Sequence, residues 1–183
     1  MIVKKIFSFA ASSINLIIFI IFINLNSNAA ENNKKSYSKD EGVVAIMYHR
    51  FNENKYPSTN IRIEVFRKHL ELIEQSGYDF YNPNEFENEI QKPKTNKKIL
   101  LTIDDGFQSF YDNAWPILKE KKIPFILFIS TEPVGKSGYM SWDQIKEIEN
   151  ENFTMIGHHS HSHEYMINMT NEEFISDIKL ANK

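Results

Sequence analysis

Residues 99–106 read ILLTIDDG, so two carboxylates, Asp104 and Asp105, stand at the end of a short apolar run. A run this short and this apolar is typical of a strand buried on both faces of a parallel sheet. Taken alone, the Asp-Asp-Gly that follows is best explained as a tight turn. Ligands nevertheless gather at the carboxyl ends of parallel strands, so the pair is also a candidate site.

Similar apolar runs predict three more buried strands, at residues 42–48, 125–129 and 154–156. Helical patterns separate these runs, with apolar residues at helical spacing in 64–76 before Gly77 and in 109–121. The pairs Ser141/Gln144 and Thr170/Glu173 are capping boxes that predict the starts of two later helices. We also expect a short strand at 78–81, a short helix at 84–90 and a solvated basic loop at 92–98. Alternating strands and helices indicate an α/β fold with a parallel sheet.

Four of the six histidines fall close together, at positions 158, 159, 161 and 163. The chain has no cysteine, so a protein-bound metal must use His, Asp or Glu, which suits a hard or borderline divalent cation. A solvated His-rich loop explains the cluster equally well when it is taken alone. Combined with the paired carboxylates at another strand end, it indicates a hydrolase: one carboxylate binds a metal while its neighbour accepts a proton from the attacking water.

Length, charge and the lack of cysteine exclude several classes of function. The chain has 183 residues and a net charge of -3, which predicts one domain and no bulk positive field that would favour nucleic acid as a partner. The absence of cysteine excludes disulfides, thiolate nucleophiles and iron-sulfur clusters.

The N-terminal segment has the pattern of a secretory signal peptide. Lys4 and Lys5 precede an apolar run, Leu16–Ile23, that is much shorter than the roughly 20 residues needed to span a bilayer, and small residues follow it. We expect residues 1–29 to be the signal peptide, residues 30–41 a polar linker and residues 42–183 the domain. The alternative is an uncleaved N-terminal anchor, which would associate the protein with the membrane. Both alternatives predict an exported protein that is periplasmic, in the cell envelope or secreted.

Two motifs carry a resemblance to a known family. TIDDG at residues 102–106 and GHHSHSH at residues 157–163 resemble the first two motifs of the polysaccharide deacetylases (NodB homology domain, carbohydrate esterase family 4). Residues 47–50, 125–130 and 139–144 also look like stretches of that family, so the resemblance covers residues 42–183. It implies a distorted (β/α) barrel that hydrolyses N-acetyl groups of amino-sugar polymers, releasing acetate and leaving a free amine.

The resemblance also implies roles for individual residues. Asp104 matches the general base, and Asp105, His159 and His163 match the ligands of a divalent metal ion, for which zinc is the favoured candidate. The spacing of the two histidines supports the pairing, since side chains at i and i+4 reach one point on a helical turn, although His158 with His163 is an alternative pair. The other candidate residues are those expected to support the ligands or to line the substrate site: Ser160, His158, His161 and His49.

The same resemblance raises an expectation about completeness. The family's acid histidine, and the Arg and Asp that orient its base and acid, would lie beyond Lys183. About four or five strands can be counted where the barrel has seven or eight, which predicts a domain truncated at its C-terminus that is poorly stable alone or needs a complementary C-terminal fragment. Two alternatives remain: a non-catalytic, metal-containing glycan-binding module or inactive fragment of the same fold, and a different metal-dependent amidohydrolase.

Overall fold

A parallel sheet packed against helices organises the chain in the computed structural model, which describes residues 42–90 and 97–183. The predicted signal peptide, the linker and most of the basic loop lie outside these residues. In chain order the strands are β1 (Val43–Tyr48), β2 (Arg50–Phe51), β3 (Asn60–Ile61), β4 (Asp79–Phe80), β5 (Lys98–Asp105), β6 (Phe125–Ile129) and β7 (Thr154–His158). The helices are α1 (Ile63–Gln75), α2 (Phe86–Ile90), α3 (Trp115–Lys121), α4 (Trp142–Glu149) and α5 (Asn171–Ala181). Short 3-10 helices occupy Pro83–Glu85 and Met166–Asn168, and a π-helical turn occupies Phe110–Ala114.

β5 is the central strand of the main sheet, whose order is β1-β5-β6-β7 with every pair parallel. β1 pairs with one edge of β5, while β6 pairs with the later part of the other edge, where Asp105 is opposite Ile129. β4 pairs with the first two residues of β5. β2 and β3 form a separate parallel ladder. The predicted α/β fold with a parallel sheet is therefore confirmed.

The helices follow their sequence signals closely. The capping boxes of α4 and α5 both form, with Ser141 and Thr170 as the N-cap residues. α1 ends at Gln75 with Ser76 as its C-cap, and Gly77 follows with a φ of +76°, the left-handed conformation for which glycine is favoured after a helix. The predicted helix over 109–121 differs, because a π-helical turn precedes α3. Pro116 lies directly after this turn, and because proline has no N–H it cannot donate a hydrogen bond to that turn.

The core lies between the sheet and the helices. Alternate residues of β5 and β6 point into it, and Leu101, Ile103, Phe125 and Leu127 are fully buried there. Aromatic rings join the layers: Phe125 contacts Phe110 and Trp115 with ring centroids 5.5 and 5.9 Å apart. Such edge-on aromatic contacts add to the free energy gained from burying the rings.

The prediction that β1 is buried on both faces is wrong. Val44 and Met47 are 54% and 59% exposed, whereas Tyr48 is buried. Ile46 and Tyr48 face the core, whereas Met47 points to the opposite face of the sheet. Val44 is on the same side as Tyr48 but lies near the start of this edge strand. Within residues 42–90 and 97–183 the main sheet is open, with β1 and β7 at its edges. In the same residues, every helix is too short or too polar to cross a membrane.

Candidate metal centre

Two buried carboxylates end β5. Asp104 and Asp105 are the last residues of the strand rather than the turn after it, and they pair with Phe128 and Ile129 of β6. The chain then turns sharply, since Asp105 and Gly106 have φ values of 75° and 78°. Only glycine fits the second position well, because an added Cβ would lie 3.0 Å from Ile129 Cδ1 in addition to the backbone strain. This turn fixes the place of the Asp105 carboxylate.

The histidine loop, residues 159–163, follows β7 and is held against the end of β6. The His159 N–H donates to the Ile129 carbonyl at 2.7 Å, and the Ser130 hydroxyl donates to the His159 carbonyl at 3.0 Å. The loop is not a helical turn, so the geometric reason given above for pairing His159 with His163 is wrong. Left-handed backbone at Ser160 and His163, with φ of 63° and 59°, reverses the chain instead. The His163 N–H donates to the Ser160 hydroxyl at 3.0 Å and closes the reversal.

Three potential metal ligands converge where these two strand ends meet. Oδ1 of Asp105 lies 3.1 Å from Nε2 of His163 and 3.4 Å from Nε2 of His159. One ligand atom from each residue lies within 4.8 Å of the others. Oδ1 of Asp105 is buried and has no partner of hydrogen-bond geometry among the described residues, although both imidazoles face it. Two imidazoles and a carboxylate aimed at one point form a group capable of binding a metal ion.

Asp104 lies beside this group and is also buried, with its Oδ1 lacking a hydrogen-bond partner in the part of the chain that the structure describes. Burial raises the pKa of Asp104 above its ordinary value, and the nearby His159 and His49 oppose that rise. A carboxyl group with a raised pKa exchanges protons closer to neutral pH than an exposed one does.

The remaining predicted residues have different surroundings. His158 ends β7, is exposed and lies outside the group of three. His161 contacts the Thr131 hydroxyl through Nδ1 at 2.8 Å, and Ser160 is buried within the loop. His49 follows β1, is half-buried and acts electrostatically on Asp104.

The sequence reasoning missed Asp177 of α5, which contacts the histidine loop. Its two carboxylate oxygens accept the backbone N–H groups of His161 and Ser162, each at 2.8 Å. Burial alone would raise the pKa of Asp177, but hydrogen bonds from the Ser162 side chain and from these backbone groups lower it on balance. A signal was present in the sequence, because Asp177 continues the helical stripe formed by Phe174 and Ala181, where an apolar residue is expected.

A cleft of about 540 Å³ opens beside Asp105 and His163. The Arg50 guanidinium lies in its wall, 3.4 Å from the centre of the Phe107 ring and 4.3 Å from that of Tyr56. Arg50 also pairs with Glu53 at 3.0 Å. The candidate metal centre therefore adjoins a cleft with charged and aromatic side chains in its wall.

Comparison with known proteins agrees with this arrangement. The family model described as "Polysaccharide deacetylase" matches residues 91–183. The structure of IcaB from Ammonifex degensii is 33% identical with a TM-score of 0.60, over 67% of this chain and 54% of that one. The deacetylase PplD of Streptococcus pyogenes, solved with acetate, shares the fold with a TM-score of 0.67 at 20% identity, over 78% of this chain and 67% of that one.

One curated relative is named for its activity. The poly-beta-1,6-N-acetyl-D-glucosamine N-deacetylase of Staphylococcus epidermidis is 25% identical over 131 residues, which cover 63% of this chain and 45% of that protein. The chain thus spans less than half the length of the curated relatives that it matches.

Proposed function

We propose that this chain, which belongs to the polysaccharide deacetylase family, hydrolyses N-acetyl groups of an amino-sugar polymer at the centre formed by Asp105, His159 and His163. The observation that carries the proposal is the convergence of these three ligand atoms beside a second buried carboxylate, Asp104. A structural ion pair would need only one imidazole and one carboxylate. Two imidazoles around one carboxylate oxygen that accepts no hydrogen bond from the described residues are better explained by a shared cation.

Zinc is the metal that we propose. A set of two histidines and one aspartate suits its preference for nitrogen and oxygen ligands, and three protein ligands leave a position open to substrate. When bound, such a cation supplies Lewis-acid polarisation of the acetyl carbonyl and lowers the pKa of the attacking water. Asp105, His159 and His163 would hold it through Oδ1 and the two Nε2 atoms.

Asp104 is the general base in this proposal. Its carboxylate would accept a proton from the water that attacks the acetyl carbon. The amide C–N bond then breaks as the leaving nitrogen takes up a proton, giving acetate and a free amine. Ser160 supports the ligands by accepting the His163 N–H. We assign to His49, His158 and His161 only the lining of the site and its approaches.

The substrate that we propose is an N-acetylated polysaccharide, in agreement with the activity for which the staphylococcal relative is named. The cleft beside His163, with Arg50 and Tyr56 in its wall, offers the mixture of aromatic and polar groups that suits a hydroxylated ring. Nucleic acid is not proposed as a partner because the chain is acidic overall. Export is proposed from the sequence pattern of residues 1–29, and residues 42–183 are proposed as the deacetylase domain.

The test is acetate release from poly-β-1,6-N-acetylglucosamine with added Zn²⁺, for the wild type and for Asp104→Asn. We expect release by the wild type and a loss of about 10²- to 10⁴-fold in the variant, the usual contribution of a general base. Zinc binding should remain in both proteins. Release that survives Asp104→Asn would show that the base is another group.

Two other outcomes would favour the alternative functions. Binding of polymer and zinc by the wild type with no acetate release would indicate a glycan-binding module. Cleavage of simple N-acetyl amides without a sugar, at a rate equal to that on the polymer, would indicate a more general amidohydrolase.

A further inference from the structure

We infer that Asp177 is a positioning residue, which holds the histidine loop in the shape that lets His159 and His163 bind one ion. The inference rests on the proposed metal centre. It concerns a residue of α5 that accepts hydrogen bonds from the backbone between the two histidines.

Both oxygens of the Asp177 carboxylate are used on this loop. Oδ2 accepts the N–H of His161 and Oδ1 accepts the N–H of Ser162, both at 2.8 Å, and the residue is only 6% exposed. Consecutive backbone N–H groups that point to one side form a concave anion site. Here the anion is a side chain of the same protein, and a charged acceptor makes these hydrogen bonds stronger than neutral ones.

The loop needs such an anchor because its backbone is in an unfavourable conformation. Ser160 and His163 adopt left-handed backbone, which carries a steric cost for residues other than glycine. This conformation persists only where surrounding contacts require it. The middle of the loop, residues 161 and 162, lies between the two strained positions, and Asp177 binds there.

The opposite side of the loop is fixed by the segment after β6. The Thr131 N–H donates to the Ser160 carbonyl at 3.3 Å, and the Glu132 N–H donates to the His161 carbonyl at 3.0 Å. The loop is therefore clamped between this segment and α5. Removing the carboxylate frees one side of the clamp and leaves two N–H groups without their acceptor, so the two imidazoles are no longer held at one point.

The test compares Asp177→Asn with Glu172→Gln, which removes the same charge from an exposed position of the same helix. Zinc affinity is measured by competition with a chromophoric chelator, and the absorption spectrum of the Co²⁺-loaded protein reports ligand geometry. We expect Asp177→Asn to lower zinc affinity by about tenfold or more and to change the Co²⁺ spectrum, as loss of a residue that orients ligands typically does. Glu172→Gln should leave both unchanged.

A merely structural role for Asp177 would lower the melting temperature of Asp177→Asn while its zinc affinity and Co²⁺ spectrum matched those of Glu172→Gln. That result would overturn the inference. If Asp177→Asn does not fold, Asp177→Glu serves instead, because it keeps the charge but displaces both oxygens; we expect reduced zinc affinity, and unchanged affinity would overturn the inference. A wild-type chain that binds no zinc would overturn the proposed metal centre as well, whereas normal wild-type binding with unaffected variants would overturn only this inference.

Discussion

The helix-covered face of the sheet and the carboxyl ends of its strands place opposite kinds of side chain in buried positions. On the covered face, Phe125 and Leu127 are fully buried among apolar side chains and aromatic rings. At the strand ends, Asp104 and Asp105 are buried, yet one oxygen of each lacks a hydrogen-bond partner among the described residues. Burying an unsatisfied polar atom costs about 1–3 kcal/mol, and more for a charged group. The covered face therefore stabilises the fold, whereas the strand ends carry an electrostatic cost that a bound cation would offset.

The largest effect on stability should come from the covered face. Phe125→Ala removes a ring that contacts Phe110 and Trp115, and it should lower the free energy of unfolding by about 3–5 kcal/mol in urea denaturation. Phe86→Ala is the control. Because Phe86 is 56% exposed, its replacement should lower the free energy of unfolding far less. An equal decrease in the free energy of unfolding of the two variants would contradict a special contribution of the covered face to stability.

Much of the covered face follows from the sequence, because apolar runs and capping boxes act locally. β5, β6 and the starts of α4 and α5 are where the pattern places them. The burial of β1 was not predictable in this way, since an apolar run does not say whether a strand lies at an edge. The π-helical turn before α3 also escapes a pattern that assumes ordinary helical spacing.

The candidate site was predictable in its residue types but not in its geometry. The motifs named Asp105, His159 and His163, whose ligand atoms lie together, but the helical turn expected between the histidines is absent. Two left-handed residues shape the loop, and a remote carboxylate, Asp177, holds it. The stripe of α5 marks Asp177 as unusual, but spacing along the chain does not show which loop it contacts. The roles of these residues remain predictions.

A smaller effect is expected on the other face of the sheet, where β6 and β7 approach closely. An added Cβ on Gly157 would lie 2.6 Å from the Phe128 ring, so Gly157→Ala should cost about 1–3 kcal/mol of unfolding free energy. In a Phe128→Ala background the same substitution should cost much less, which a double-mutant cycle by urea denaturation measures. A cost independent of Phe128 would mean that the glycine is needed for another reason.

The smallest effect is expected at the rim of the covered face, in acid. Hydrogen bonds from Tyr111, Lys119 and Trp115 lower the pKa of Glu147 from its ordinary 4.5 to about 2. A carboxyl group whose pKa is lower in the folded state stabilises the protein above its unfolded pKa and loses that contribution as the pH falls. As the pH falls from about 4.5 to about 2, the melting temperature of Glu147→Gln should therefore decrease less than that of the wild type.

The size of that effect should be modest, because the Glu147 side chain is 43% exposed and solvent screens its interactions. Glu149→Gln, in the same helix, is the control and should keep the acid dependence of the wild type. An unchanged acid dependence in Glu147→Gln would show that these hydrogen bonds contribute nothing to stability.

The most direct test of the metal centre uses two adjacent histidines, His158 and His159. Zinc bound per chain is measured by equilibrium dialysis and elemental analysis for the wild type, His159→Ala and His158→Ala. Because His159 faces the Asp105 carboxylate and His158 lies outside the group, we predict one zinc per chain in the wild type and in His158→Ala, and its loss in His159→Ala. Zinc retained by His159→Ala, or lost only in His158→Ala, would contradict the proposal that His159 is a metal ligand and His158 is not.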